Sequence, residues 1–377
     1  MATKAEDVTP TTVADVVPES VKQADPATVA STQAAAPVDS GDGMAKEEAV
    51  VPAAASDKDA TGPAAPVDEL KKLDIAIDEK KPVEEEPATA TTDTAALVWP
   101  ETPAEHPLTK LFEQVDALVK EAEHDEIYGI KLSSTANAFH TKLILQKFLR
   151  ANQNDLDKAK QQLLDTLKWR KEFDPVTAAG ETFDKDKFDG LGYILTVDGV
   201  PESTNKTDVV TFNIYGAVKD NKKTFGDLDT FLRWRVGLME RSVQKLNLSS
   251  ATQPIPNYNE GPDPYQGFQV HDYLQVSFLR QDPAVKAASK ATINLLGRHY
   301  PETLSRKFFV NVPVVMGWLF QAMKLIVAKE TVKKFTVLSY GNQLAVDLGQ
   351  GIPEVYGGAG KELSVVGEAL KVGDVKA

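Results

Sequence analysis

GFQVHDYLQVSF, residues 267–278, reads as a β-strand with two unlike faces. Strand side chains alternate, so Phe268, Val270, Leu274, Val276 and Phe278 share one side, interrupted only by Asp272. Gln269, His271, Tyr273, Gln275 and Ser277 share the other. A histidine and a tyrosine therefore point the same way. An open, solvated sheet face would account for this, and so would the lining of a cavity.

The neighbouring strand-like runs repeat the pattern. In VVTFNIY, residues 209–215, Val210, Phe212 and Ile214 alternate with Thr211, Asn213 and Tyr215. In KFFVNV, residues 307–312, Phe308, Val310 and Val312 alternate with Lys307, Phe309 and Asn311. Three strands thus carry one apolar face and one mixed polar and aromatic face. A parallel sheet has both faces covered, and a covered face of this composition describes a ligand pocket.

Outward from these runs the chain alternates. LGYILTV and DVVTFNIYG read as strands, and residues 228–248 as a helix. A Pro- and Asn-rich loop (251–267) leads to the opening strand, followed by helix 283–299, strand 307–313, helix 314–329, strand 334–338 and helix 340–349. This order predicts an α/β fold with a mostly parallel sheet and packed helices. Upstream, residues 105–180 read as helical, with Leu156, Ala159, Leu163 and Leu167 on one face and Asn154 or Asp155 as a cap. In helix 228–248 the apolar stripe runs Leu228, Leu232, Met239, Ser242 and Leu246, and Arg235 falls on it. An inward arginine needs an anionic partner, from the protein or from a ligand. Helix 314–329 is apolar almost all round yet too short to span a bilayer. It reads either as a core helix or as a lid that exchanges pocket contacts for lipid contacts.

Composition sets the outer bounds. Residues 1–98 hold 20 Asp and Glu against 8 Lys and Arg, a balance of −12 of the chain's −13, and no aromatic residue. Such a segment reads as a disordered acidic tail. There is no cysteine, which excludes disulfides, iron–sulfur clusters and thiolate haem ligation. No signal-peptide core and no 20-residue apolar run is present, so a cytoplasmic location is expected. No His-Glu-x-x-His, Gly-x-Ser-x-Gly or phosphate-loop motif occurs, and no basic aromatic face for nucleic acid.

HYPETLSRKFFVNVPVVMGWLF (299–320) is similar to the signature of the CRAL-TRIO lipid-binding domain, and GIPEVYGG (351–358) to that family's closing turn. LQKFLRANQNDLDKAKQQLLDTLKWRKE (145–172) resembles its helical N-terminal domain. The resemblance implies a tail (1–98), a helical N-terminal domain (99–180), a lipid-binding domain (181–365) with a sheet floor and gate helix, and a C-terminal tail (366–377). FNIYGAVKD, RWRVGLMERSV and QVHDY further resemble an unconventional, haem-binding branch of the fungal phosphatidylinositol-transfer proteins, the fifth homologue of the founding yeast protein. That branch implies haem b held by Tyr215, Arg235, His271, Tyr273 and Lys307, with Tyr273 as the axial iron ligand. Glu302, Thr331 and Lys334 match head-group positions for phosphatidylinositol. The expected function is lipid transfer between membranes, without catalysis, influencing phosphoinositide homeostasis and with a haem role in oxidant stress. The chain would associate peripherally with endoplasmic reticulum (microsomal) and plasma membranes. The alternative is a dedicated haem protein for redox or stress response.

Overall fold

The computed structural model describes residues 97–276, 282–313 and 329–375. Most of the acidic tail, the lid helix 314–329 up to Ala328 and the last two positions of the opening strand lie outside these residues.

The N-terminal part packs three helices, α1 (Pro107–Ala122), α2 (Ala138–Ala151) and α3 (Leu156–Phe173), with α4 (Pro175–Ala178) closing it. Asp155 caps α3, accepting the Lys158 amide at 3.1 Å, and Ala159, Leu163 and Leu167 are buried as the spacing requires. Between α1 and α2 runs a two-residue hairpin that sequence reading misses, β1 (Glu126–Ile127) with β2 (Ile130–Lys131). Strands this short carry no period to detect.

The rest is an α/β unit, as expected. β3 (Thr182–Asp184) leads through α5 (Lys185–Phe188) to β4 (Gly192–Asp198) and β5 (Thr207–Ile214). Then come α6 (Asn221–Phe225), α7 (Leu228–Lys245), β6 (Gly267–Asp272), α8 (Pro283–His299) and β7 (Leu304–Val310). After α9 (Lys329–Lys333) the chain gives β8 (Phe335–Val337), α10 (Ala345–Leu348), α11 (Leu363–Val366) and β9 (Lys371–Gly373). The five-stranded sheet runs in the order β4-β5-β6-β7-β8. β4 and β5 are antiparallel and the other pairs parallel. β9 pairs with β3 in a separate parallel ribbon. The predicted helix 340–349 is a 3-10 turn at Gly341–Gln343 followed by α10.

The apolar face of the sheet, with Val210, Phe212, Val270, Phe308 and Val310, packs against Leu344, Leu348, Ile352 and Tyr356. Asp272, the interruption on that face, has a purpose. Its carboxylate accepts the Tyr356 hydroxyl and the Asn311 amide, each at 2.7 Å, and the Leu274 backbone N–H at 2.9 Å. The last of these bends the chain, so β6 ends six residues earlier than the alternation suggests. Leu274 is 56% exposed, not on the apolar face. A local side-chain-to-backbone bond here competes successfully with the ladder.

The single-stripe reading of α7 is also corrected. Leu228 and Leu232 are only half-buried. The helix instead buries Phe231, Trp234 and Leu238 against one cluster, and Val236, Met239 and Val243 against the core of α1–α3. A helix wedged between two cores shows two apolar stripes, and a one-face search finds neither cleanly.

Candidate functional site

On β5 and β6 the mixed face is covered, while on β7 and β8 Lys307 and Phe335 are half-buried and Val337 is exposed. Thr211, Asn213, Gln269 and His271 are all buried. Register aligns Thr211, Gln269, Lys307 and Phe335 in one row, and Asn213, His271, Phe309 and Val337 in the next. α7 lies over these rows. The Ser242 and Thr211 hydroxyls are bonded at 2.6 Å, and Gln269 Nε2 donates to Met239 Sδ at 3.5 Å. Two turns back along α7, Arg235 arrives over the carboxyl ends of β5 and β6, where open parallel sheets bind ligands.

There the predicted residues meet. Tyr215, in the turn after β5, contacts both residues of the opening question: its ring centroid is 5.4 Å from His271 and 5.2 Å from Tyr273. Phe309 closes the other side, 5.6 Å from His271 and 6.3 Å from Tyr273. Lys307 Nζ lies 5.6 Å above the Phe309 ring and 5.8 Å above that of Phe335. All five residues named from the sequence therefore border one aromatic-walled region.

Its electrostatics are unbalanced. Arg235 is 1% exposed, and among the described residues only the Tyr215 hydroxyl approaches its guanidinium as a hydrogen-bonding group, without good geometry. Burial lowers its pKa, and only the phenols Tyr215 and Tyr300 oppose the shift. Burial pushes Lys307 down to about 7, with Arg235 adding repulsion. His271 is held well below its usual value by burial and then by those two cations, and its Nε2 has no partner among the described residues. Burial raises the Tyr273 phenol well above its usual value, Tyr215 adding to the shift. Among the described residues no carboxylate pairs with Arg235 or Lys307. Asn213, which sequence reading placed on this face without a role, turns an unpaired Oδ1 inward while its Nδ2 is tied to Val270 O at 3.4 Å.

The second predicted set lies at the other end of the same strands. Glu302 Oε1 is 3.8 Å from Lys334 Nζ, which donates to Leu304 O at 2.7 Å. Thr331 O accepts the Lys334 amide at 3.1 Å. The structure adds residues that were not anticipated. Arg150 Nε approaches Glu302 Oε2 at 3.7 Å, and Gln266 Nε2 donates to that oxygen at 2.8 Å. Lys147, fully buried, donates to Asp263, to Tyr265 O and to Glu302 O at 2.7, 2.8 and 2.9 Å. The available signal was a lysine and an arginine three apart on the same buried face of an otherwise apolar helix.

Residues 199–358 match the CRAL/TRIO domain and residues 107–165 the CRAL/TRIO N-terminal domain. The chain belongs to the CRAL/TRIO family. A relative from Phaeosphaeria nodorum, named phosphatidylinositol transfer protein SFH5, is 70% identical over 76% of this chain and 87% of its own. One of the same name from Cryptococcus neoformans is 47% identical over 75% of this chain and 97% of its own. The solved crystal structure of Sfh5 is 33% identical, covers 70% of this chain and 88% of that one, and superposes with a TM-score of 0.59. Within the family fold, the two clusters occupy opposite ends of strands β6 and β7.

Proposed function

We propose that this chain is a carrier that binds phosphatidylinositol and moves it between membranes, and that its pocket also takes haem b. The names of the relatives support the lipid reading. The observation that supports a second, anionic ligand is the fully buried Arg235 with the half-buried Lys307 beside it, without a carboxylate partner among the described residues. Burying such charges is costly unless something neutralises them.

The lipid head group sits at Glu302, Thr331 and Lys334, with Arg150 beside them. Cations take the phosphate and the carboxylate accepts hydroxyls. The residues of the other cluster suit haem. Tyr215, Phe309 and Phe335 give flat apolar walls, and Arg235 and Lys307 are cations for its propionates. Tyr273 would supply the oxygen donor for its iron, with His271 beside it to tune the phenol. Haem would supply a ferric centre, for which a phenolate is a suitable ligand. In the free chain burial keeps Tyr273 protonated, so the phenol would have to give up its proton to serve as that ligand. The carrier works without covalent chemistry, on the cytoplasmic surface of the endoplasmic reticulum and plasma membrane, with the haem serving in oxidant response.

A visible spectrum of the purified chain, followed by lipid mass spectrometry of the same sample, tests both parts. A haem band and co-purified phosphatidylinositol are expected. A colourless protein that cannot be loaded with ferric haem removes the haem reading. A coloured one that never carries lipid leaves a dedicated haem protein.

A further inference from the structure

Glu302 is fixed more tightly than its neighbours. Its φ is +51°, in the left-handed region that L-residues rarely adopt, so the surroundings must enforce it. Two side chains hold its carbonyl: Lys147 Nζ at 2.9 Å and Gln266 Nε2 at 3.3 Å. The same Gln266 nitrogen donates to the carboxylate at 2.8 Å. Both partners are acceptors, so the amide must present its NH2 group to them. Gln266 is buried at the foot of β6, and the Gly267 amide that follows it donates to Thr303 O at 3.0 Å.

The two cations stand further off, Arg150 Nε at 3.7 Å and Lys334 Nζ at 3.8 Å. Arg150 Nε has no hydrogen bond among the described residues, because its other nitrogens are committed to the carbonyls of Pro256, Asn257 and Gly261. A neutral amide therefore aims the carboxylate without cancelling its charge. A cation at that distance would offset more of the carboxylate's charge and weaken the hydrogen bonds its remaining lone pairs accept from a ligand.

We propose that Gln266 is a positioning residue for head-group selection. It holds Glu302 as a charged acceptor for the hydroxyls of a polyol head group and leaves Arg150 and Lys334 for the phosphate. A choline head group offers no hydroxyl donor and gains nothing from this arrangement. The inference rests on the head-group reading above.

The test uses the full chain and donor vesicles of phosphatidylcholine containing phosphatidylinositol, with transfer of each lipid measured separately. Gln266→Met keeps the length and loses both hydrogen bonds. It is expected to lower phosphatidylinositol transfer about tenfold, as fits loss of a hydrogen bond to a charged group, with phosphatidylcholine transfer and melting temperature nearly unchanged. Glu302→Gln is measured beside it. If Glu302→Gln abolishes phosphatidylinositol transfer while Gln266→Met does not lower it, the positioning role is overturned. A parallel fall in both lipids makes Gln266 merely structural and overturns it too. Unchanged phosphatidylinositol transfer in Glu302→Gln brings down the head-group reading itself.

Discussion

The two ends of strands β6 and β7 solve the same problem in opposite ways. At the amino end, Lys147, Arg150 and Lys334 stand among Asp263, Glu302 and six backbone carbonyls. At the carboxyl end, Arg235 is fully buried and Lys307 half-buried, and the described residues around them are phenols, aromatic faces and the His271 imidazole. In the first cluster every cation has a carboxylate within 3.8 Å, three cations sharing two carboxylates. The second has no carboxylate partner among the described residues. Six residues of strand, roughly 20 Å at the usual rise, separate cations that have carboxylate partners from cations that have none among the described residues.

The sharpest break of this contrast is at the iron. Tyr273→Phe keeps the ring and removes the donor oxygen, so haem affinity should fall at least about a hundredfold, the loss expected of a direct ligand rather than an outer-shell partner. His271→Ala should retain haem with an altered spectrum or potential. Ligation lost in His271→Ala but kept in Tyr273→Phe would transfer the role to the histidine.

Removing one lysine from each end should shift stability in opposite directions. Lys147→Met leaves Asp263 buried and unpaired, and should cost about 3–5 kcal/mol in chemical denaturation. Lys307→Met removes a buried charge that has no counter-ion, and should stabilise the ligand-free chain by about 1–2 kcal/mol while weakening anion binding. Destabilisation by both would mean that Lys307 also has a partner.

pH reads the same difference without mutation. Lys307 is held near 7 in the free chain, against 10.5 for an ordinary lysine. Below about 7 it is protonated in both folded and unfolded states, and the full cost of burying the charge is present. As pH rises towards 10.5 the unfolded chain holds the extra proton, so this group makes the free protein more stable with pH. Anion binding goes the other way. Above about pH 7 the ligand must draw a proton onto Lys307, so affinity should fall by up to about tenfold per pH unit. His271 is depressed and stays neutral across that window. Ligand titrations between pH 6 and 9 check the slope, and a flat profile for the wild type would exclude Lys307 from the anion site.

The smallest effect locates where the sheet stops. Leu274→Ser should change stability by less than about 0.5 kcal/mol, as at other exposed positions away from packed contacts. A loss of 2 kcal/mol or more, the range for a buried leucine, would restore the longer strand.

Much of this was legible in the chain. Alternation fixed which side of each strand His271, Asn213 and Lys307 occupy, because a period of two survives any tertiary arrangement. Helical spacing put Arg235 inside, and the family resemblance joined these residues into one pocket. What the alternation could not register was the end of β6, because Asp272 withdraws the strand through contacts with Asn311 and Tyr356, far along the sequence. Nor could it find Gln266, whose significance lies in a carboxylate 36 positions away held at positive φ. The sequence by itself determined local periodicity and the residue types on each face. Only the tertiary structure decided which buried charges found partners, because pairing depends on groups brought together from distant segments, and that distinction separates the two ends of the sheet.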